Sequence, residues 1–130
     1  MFIRVLRAKI HNATVTHTDV EYVGSITIDE DLLAATGIRP NEFVLISDLD
    51  NGARFETYVV KGEAGSGVVA VNGAAAKLVN KGDRIIIFST LLMDPGAMDE
   101  HYAQVVLVDE RNRIARKMRY PSTLEESIPL

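Results

Sequence analysis

The chain is organised around one extended segment, Asp19-Val20-Glu21-Tyr22-Val23-Gly24-Ser25-Ile26-Thr27-Ile28-Asp29. Most residues beside its Gly-Ser pair are β-branched or aromatic, which predicts a strand on both sides of the pair. A glycine inside a strand indicates a bulge, a bend or the close approach of another backbone. We therefore expect Gly24 and Ser25 to form a kink within a strand.

A serine hydroxyl at such a kink can react with its own backbone. If the fold holds Ser25 Oγ against the carbonyl carbon of Gly24, the acyl group can shift from nitrogen to oxygen, and the resulting ester can break the chain. This attack requires a fixed near-attack geometry and stored strain. The same dipeptide recurs at Gly65-Ser66, but three glycines within residues 62–67 predict a flexible turn there. Gly24-Ser25 is thus the candidate scissile bond, and a simple bulge is the alternative.

The composition predicts one folded domain. The chain has 130 residues, 47% of them hydrophobic, and a formal net charge of −4, which argues against a nucleic-acid or anionic-membrane surface. It has no cysteine, which excludes disulfides and thiolate chemistry and is consistent with a reducing cytoplasm. Charges interrupt the apolar residues 1–9, so we expect neither a signal peptide nor a membrane span, and we predict a cytoplasmic protein.

Apolar alternation and turn signals predict a mainly β fold. Asn51-Gly52 separates two strand-like runs and indicates a hairpin. We expect a helix capped by Thr27 or Asp29 and ended by Gly37, and a second helix capped by Asn72. About seven strands and two short helices favour a small barrel of six or seven strands, over residues 1–119, with residues 120–130 as a loose tail.

Several polar residues align on predicted strand faces. Period two places Lys9 and His11 on one side of the first strand, and Arg54 and Tyr58 on one face of the strand after the hairpin. A solvated strand face is the alternative interpretation. The amides that follow Asn72 have no bulky side chains to shield them, and the first amides of a helix favour negative charge. The three histidines lack the spacing of a zinc motif, so we predict no metal.

Short segments in a characteristic order give this chain a resemblance to bacterial aspartate 1-decarboxylase, the pyruvoyl-dependent aspartate α-decarboxylase. They are Lys9-Ile10-His11, Thr14-Val15-Thr16, Tyr22 to Asp29, Asn51-Gly52, Arg54 with Thr57-Tyr58, Val71 to Ala76, and Gly82-Asp83. The resemblance spans Met1 to about Arg119. Asn12 departs from it, because a basic residue is common there, and so does Thr90, where an aromatic residue is expected.

The resemblance implies a barrel of the double-psi type and a homotetramer with active sites between subunits. It also implies that Ser25 attacks Gly24, that the chain is cut between them, and that elimination and hydrolysis convert Ser25 into a pyruvoyl group. L-Aspartate would form a Schiff base with this group and lose its α-carboxylate to give β-alanine for pantothenate and coenzyme A synthesis. The pyruvoyl group then replaces pyridoxal phosphate, and a maturation helper protein is a possible partner.

The resemblance also assigns roles to other residues. Tyr58 matches the proton donor, and a tyrosine is protonated at neutral pH. Thr57 matches a residue that assists processing and contacts substrate, and Lys9 and Arg54 match the cations that hold the substrate carboxylates. The remaining matches are a substrate-binding backbone segment at Gly73, Ala74 and Ala75, and supporting positions at His11, Tyr22 and Asn72.

Two other classes of function remain open on the sequence. A non-enzymatic β-barrel module, such as a dimeric regulator, would keep its chain intact. An N-terminal-nucleophile hydrolase would be cut before Ser25 but would keep the serine and its free amine.

Overall fold

A computed structural model describes residues 1–125 of the chain. Within these residues the chain forms nine strands, one α-helix and two 3₁₀ helices. The strands are β1 (Ile3–Thr14), β2 (His17–Asp19), β3 (Ser25–Asp29), β4 (Phe43–Asp48), β5 (Arg54–Gly62), β6 (Val69–Asn72), β7 (Arg84–Met93), β8 (Tyr102–Val108) and β9 (Ile114–Pro121). The helices are α1 (Glu30–Thr36) and the 3₁₀ helices Gly73–Leu78 and Pro95–Glu100.

The sheet curls into a small barrel. Its strand order is β2-β6-β3-β5-β4-β7-β1-β8-β9. β1 runs almost directly into β2, so the two ends of the series β2-β6-β3-β5-β4-β7-β1 meet and close a ring. At this junction the Thr16 N–H donates to the Val69 carbonyl at 2.8 Å. β8 lies parallel to β1 outside this ring, and β9 pairs with β8. The prediction of a small, mainly β barrel is confirmed.

The barrel is filled by aliphatic side chains from alternate positions of its strands. Among the largest fully buried ones are Ile10, Ile26, Ile46, Val71 and Ile87, which come from five different strands. Alternation sends the intervening residues to the outer face of the barrel. The polar residues of interest therefore lie outside the core or at its ends.

The helix after β3 forms as predicted. The Asp29 side chain accepts a hydrogen bond from the Asp31 N–H at 2.8 Å, so Asp29 is the N-cap. Gly37 ends α1 in the left-handed conformation with φ of 76°. The Asn51-Gly52 turn joins β4 to β5 in an antiparallel hairpin, as expected.

Two predictions of local structure are wrong. Residues 20–24 form an exposed turn, and the strand predicted on both sides of Gly24 begins only at Ser25. The reason is that neither Tyr22 nor Val23 has a buried surface to pack against. The strand β9 was missed, because its sequence is mostly charged and exposed and it is held by pairing with β8. Residues 120 and 121 belong to β9, and the part of the predicted tail at 126–130 lies outside the described residues.

A polar network joins β1, β7 and the loop before β4. Arg7 forms an ion pair with Glu42, and the Ser89 hydroxyl donates to the same carboxylate. Burial of Glu42 acts to raise its pKa, but the hydrogen bonds from Ser89, Arg7 and the Arg39 N–H, with the charge of Arg7, lower the pKa below its usual value. This carboxylate therefore stays charged and stabilises the junction.

None of the helices within residues 1–125 has the length and apolar character needed to cross a membrane.

Candidate active site

Ser25 is buried and its hydroxyl has fixed partners. The side chain is 1% exposed. Its Oγ donates to the Val23 carbonyl at 3.1 Å and accepts from Asn72 Nδ2 at 3.0 Å. These two contacts hold the hydroxyl beside the backbone that precedes it, which is where the predicted scissile bond lies.

Asn72 positions this hydroxyl with its side chain. It ends β6 opposite Ser25 and occupies the predicted N-cap position of the short 3₁₀ helix that follows, but its side chain makes no capping hydrogen bond there. Because Ser25, Thr27 and Asn72 share the outer face of the barrel, the Asn72 amide donates to Thr27 Oγ1 at 3.2 Å as well as to Ser25. Thr27 was missed, although its place two residues after Ser25 was a signal for a shared face.

Gly73 makes the closest approach to the Gly24 backbone. Its φ is +75°, and a Cβ atom here would lie 2.5 Å from Gly24 Cα and 2.9 Å from Gly24 N. At Gly24 itself a Cβ would meet no atom within 4 Å. Residue 73 must therefore be glycine for space as well as for conformation, whereas residue 24 has room for a methyl group.

The neighbouring predicted residues are placed differently. Ala74 is exposed, and Ala75 is half-buried against the core. Tyr22 lies in the exposed turn with 56% of its surface accessible, and its carbonyl oxygen lies 3.4 Å from the position that a Cβ atom would take at Gly73. The fold thus brings Gly24, Ser25, Asn72 and Gly73 together in what we call the cleavage cluster, with Tyr22 at its edge.

β5 carries Tyr58 close to the cleavage cluster. In the parallel pair of β3 and β5, Ile26 lies opposite Val59, and both are fully buried. Ser25 and Tyr58 precede these two residues, so both side chains are directed to the opposite, outer face. Thr57, the residue before Tyr58, is buried at 8% exposure. The Tyr58 ring is tilted against Phe43, with centroids 6.1 Å apart.

A second group of polar residues surrounds one aromatic ring. Lys9 Nζ lies 5.8 Å from the centroid of the Phe88 ring, and Arg54 Cζ lies 5.5 Å from it. Arg54 Nη1 also donates to Ser47 Oγ at 2.7 Å. We call Lys9, His11, Arg54 and Phe88 the cation cluster. Phe88 and Ser47 were missed, because only strand pairing brings them to the predicted cations.

Burial changes the charges of the cation cluster. It lowers the pKa of Lys9. The pKa of His11 is also lowered, first by burial and then by the charge of Lys9. Lys9 and His11 alternate with the buried Ala8 and Ile10, so the two residues share the other face of β1, as predicted. His11 Nδ1 is buried without a hydrogen-bond partner in the described part of the chain. A carboxylate bound here would relieve the unfavourable burial of the ammonium group.

The two clusters lie on different parts of the barrel. Ser25 is on β3 and Lys9 is on β1, and the strands β5, β4 and β7 lie between them in the sheet. In the other direction around the closed barrel, β6 and β2 lie between them, so the two residues are not on neighbouring strands. Arg54 lies about 13 Å along β5 from Tyr58, at about 3.3 Å per residue.

Comparisons with known proteins agree with each other. A family model described as aspartate decarboxylase matches residues 1–115. The aspartate 1-decarboxylase of Caldicellulosiruptor bescii is 53% identical over 116 residues, covering 89% of this chain and 91% of the relative. The aspartate 1-decarboxylase of Pelotomaculum thermopropionicum is 54% identical over 88% of this chain and 86% of its own length. The enzyme of that name from Neisseria meningitidis is 53% identical over 92% of this chain and 94% of its own length.

Proposed function

Because this chain belongs to the aspartate decarboxylase family, we propose that it is a carboxy-lyase that removes the α-carboxylate of L-aspartate, giving β-alanine and carbon dioxide. β-Alanine made in this way supplies pantothenate and coenzyme A synthesis. The observation that carries the proposal is the buried Ser25 hydroxyl, held beside Gly24 by Val23 and Asn72.

The first step is self-cleavage of the newly made chain. Ser25 Oγ attacks the carbonyl carbon of Gly24, the carbon–nitrogen bond breaks, and an ester with a free amine remains. Loss of the α-proton of residue 25 expels the Gly24 carboxylate and leaves dehydroalanine. Hydrolysis of its enamine then releases ammonia and leaves a pyruvoyl group at the start of the longer chain. Thr57 assists this processing and contacts substrate in our proposal.

The surroundings of Ser25 are suited to a pyruvoyl group. The Asn72 amide, which now donates to Ser25 Oγ, can donate to a carbonyl oxygen formed at the same residue. When present, the pyruvoyl group supplies a ketone that takes the substrate amine and accepts the electrons left by the departing carboxylate, so neither a metal nor pyridoxal phosphate is required. Burial of residue 25 keeps water away from this centre.

The substrate carboxylates require two cations. Arg54 can bind a carboxylate through two parallel hydrogen bonds, and Lys9 can hold the other as a point charge. Tyr58 supplies the proton to the carbon that has lost its carboxylate. The backbone of Gly73, Ala74 and Ala75 contacts the substrate, while His11, Tyr22 and Asn72 support the pocket.

We further propose that the active site lies between subunits of a homotetramer. Lys9 and Ser25 lie on strands that do not pair with each other within one chain, and a neighbouring copy could bring its cation cluster to the cleavage cluster. Exposed aromatic side chains beside these clusters, such as Phe43 at 65% exposure, support such a contact. The cytoplasm as the compartment and a helper protein for maturation remain predictions.

The test of this function compares two serine variants that remove the same hydroxyl group. Ser25→Ala should stay a single chain and be inactive, because no hydroxyl remains to attack Gly24. Ser66→Ala alters the second Gly-Ser pair, and it should be cut and decarboxylate aspartate like the wild type. Intact mass and carbon dioxide release measure the two outcomes, and an active Ser25→Ala variant would contradict the proposal.

A further inference from the structure

Three carboxylates converge at one end of the barrel, away from both clusters described above. Asp48 ends β4, Asp50 lies in the turn between β4 and β5, and Asp83 precedes β7. One carboxylate oxygen from each lies within 4.8 Å of those of the other two. No local sequence pattern indicates this group, because pairing of β4 with β7 is what brings residue 83 to the hairpin.

Asp48 is the buried member of the group. It is 3% exposed. Its Oδ1 accepts from the N–H groups of Asp50 and Asn51 at 2.8 and 3.2 Å. Its Oδ2 is buried and has no hydrogen-bond partner within the described residues. A buried carboxylate oxygen without a hydrogen-bond partner is unfavourable, so Asp48 Oδ2 is available to a further ligand.

The neighbouring groups hold the carboxylates in place without neutralising them. The Arg84 N–H donates to Asp50 Oδ2, and the Asn80 N–H donates to Asp83 Oδ2, both at 2.9 Å. Within residues 1–125 the ion pairs are Arg7 with Glu42 and Lys61 with Glu30, so no lysine or arginine there pairs with this group. Burial and the adjacent Asp83 raise the pKa of Asp48, as expected for negative charges without a counter-ion.

We propose that Asp48, Asp50 and Asp83 bind a hard divalent cation, with Ca²⁺ preferred over Mg²⁺. Carboxylate oxygens are the ligands that hard cations prefer, and Ca²⁺ holds oxygens at about 2.3–2.6 Å. Mg²⁺ keeps several of its waters and is usually held by one or two carboxylates, so three protein carboxylates favour Ca²⁺. The three carboxylate oxygens lie close enough together to contact one such ion, with water completing its shell.

The bound ion would link the β4–β5 turn to the start of β7, because both segments supply its ligands. Its effect is on stability, since a ligand that binds only the folded state raises the midpoint of unfolding. Calcium binding is measured by calorimetry on the chelator-treated, mature protein at pH 7.5. Thermal unfolding is followed in parallel with CaCl₂, with MgCl₂ and with NaCl of equal ionic strength.

We expect CaCl₂ at about a hundredfold excess over its Kd to raise the Tm by about 6 °C or more, with a smaller rise for MgCl₂. Asp48→Asn and Asp50→Asn should each weaken calcium binding at least about tenfold. Asp50 is exposed, so its variant retains the test if Asp48→Asn does not fold. Asp99→Asn changes the charge equally at an exposed position and should bind calcium like the wild type.

Two outcomes would overturn the proposal. One is an equal rise in the Tm of the wild type and the three variants with CaCl₂, or an equal rise for the wild type with CaCl₂ and with NaCl. Either result would indicate general screening of charge. The other is no heat of calcium binding and no rise in the Tm with CaCl₂. If the protein is then also more stable at pH 6 than at pH 7.5, Asp48 and Asp83 share a proton in place of a cation.

Discussion

The contact between Gly73 and Gly24 gives a sharp prediction about maturation. In Gly73→Ala, the new methyl group must move at least 0.9 Å from its ideal place to lengthen a 2.5 Å contact with Gly24 Cα to an ordinary 3.4 Å. Holding alanine at a φ of +75° adds strain, about 1–2 kcal/mol for a left-handed residue. Both effects displace Gly24, which carries the carbonyl that Ser25 attacks.

A displacement of about 1 Å in a reacting pair can slow a reaction about a hundredfold. We therefore expect Gly73→Ala to be cut at least about a hundredfold more slowly than the wild type. The assay follows the full-length chain by denaturing gel and intact mass after rapid purification in the cold. Circular dichroism and thermal unfolding show whether the uncut protein is folded.

Gly24→Ala is the matched control, because a Cβ at this position meets no atom within 4 Å. It should be cut within about tenfold of the wild-type rate, since it leaves the near-attack geometry in place. A folded Gly73→Ala protein that is cut at the wild-type rate would refute the steric argument. Equal loss of cleavage in both variants would also refute it, because the free space at Gly24 would then have no consequence.

Three further substitutions test other parts of the structure. Tyr58→Phe should be processed normally but decarboxylate about 100- to 10,000-fold more slowly, as measured by kcat, and normal turnover would refute its role as proton donor. Phe88→Leu removes the ring that Lys9 and Arg54 contact, so it should raise the KM for aspartate about 5- to 30-fold with little change in kcat. A fall in kcat alone would contradict a role of Phe88 in holding these two cations. Glu42→Gln should lower the free energy of unfolding by about 1–3 kcal/mol at pH 7 in urea titrations. Because folding lowers the pKa of Glu42, the stabilisation from its carboxylate is present above the usual pKa of 4.5 and is lost as the pH falls through the folded-state pKa. The free energies of unfolding of wild type and variant should therefore converge in acid. A difference that persists in acid would count against the charged network.

Much of the fold was predictable because its signals are local. The Asp29 cap, the Gly37 terminus and the Asn51-Gly52 hairpin each depend on residues within a few positions of one another. β9 was not predictable in this way, because its exposed, charged sequence forms a strand only by pairing with β8. The turn at Gly24 was missed for the opposite reason, since Tyr22 and Val23 have strand-like side chains but remain exposed.

Strand alternation predicts which candidate residues share a face, but not how distant strands bring them together. The shared face of Lys9 and His11 follows from strand alternation alone. The Phe88 ring that joins Lys9 to Arg54, and the hydrogen bond from Asn72 to Ser25, depend on pairing between strands far apart in sequence. No local pattern contains that information.

The most direct test of the account is the intact mass of the longer chain in freshly purified, active protein. If Ser25 has cut the backbone and become a pyruvoyl group, that chain begins at residue 25 and is lighter by one ammonia than a chain that begins with serine. Reduction in the presence of an amine should then trap the amine on the chain and abolish activity. An active protein with an unbroken chain, or with an unmodified serine at the cut, would contradict the account.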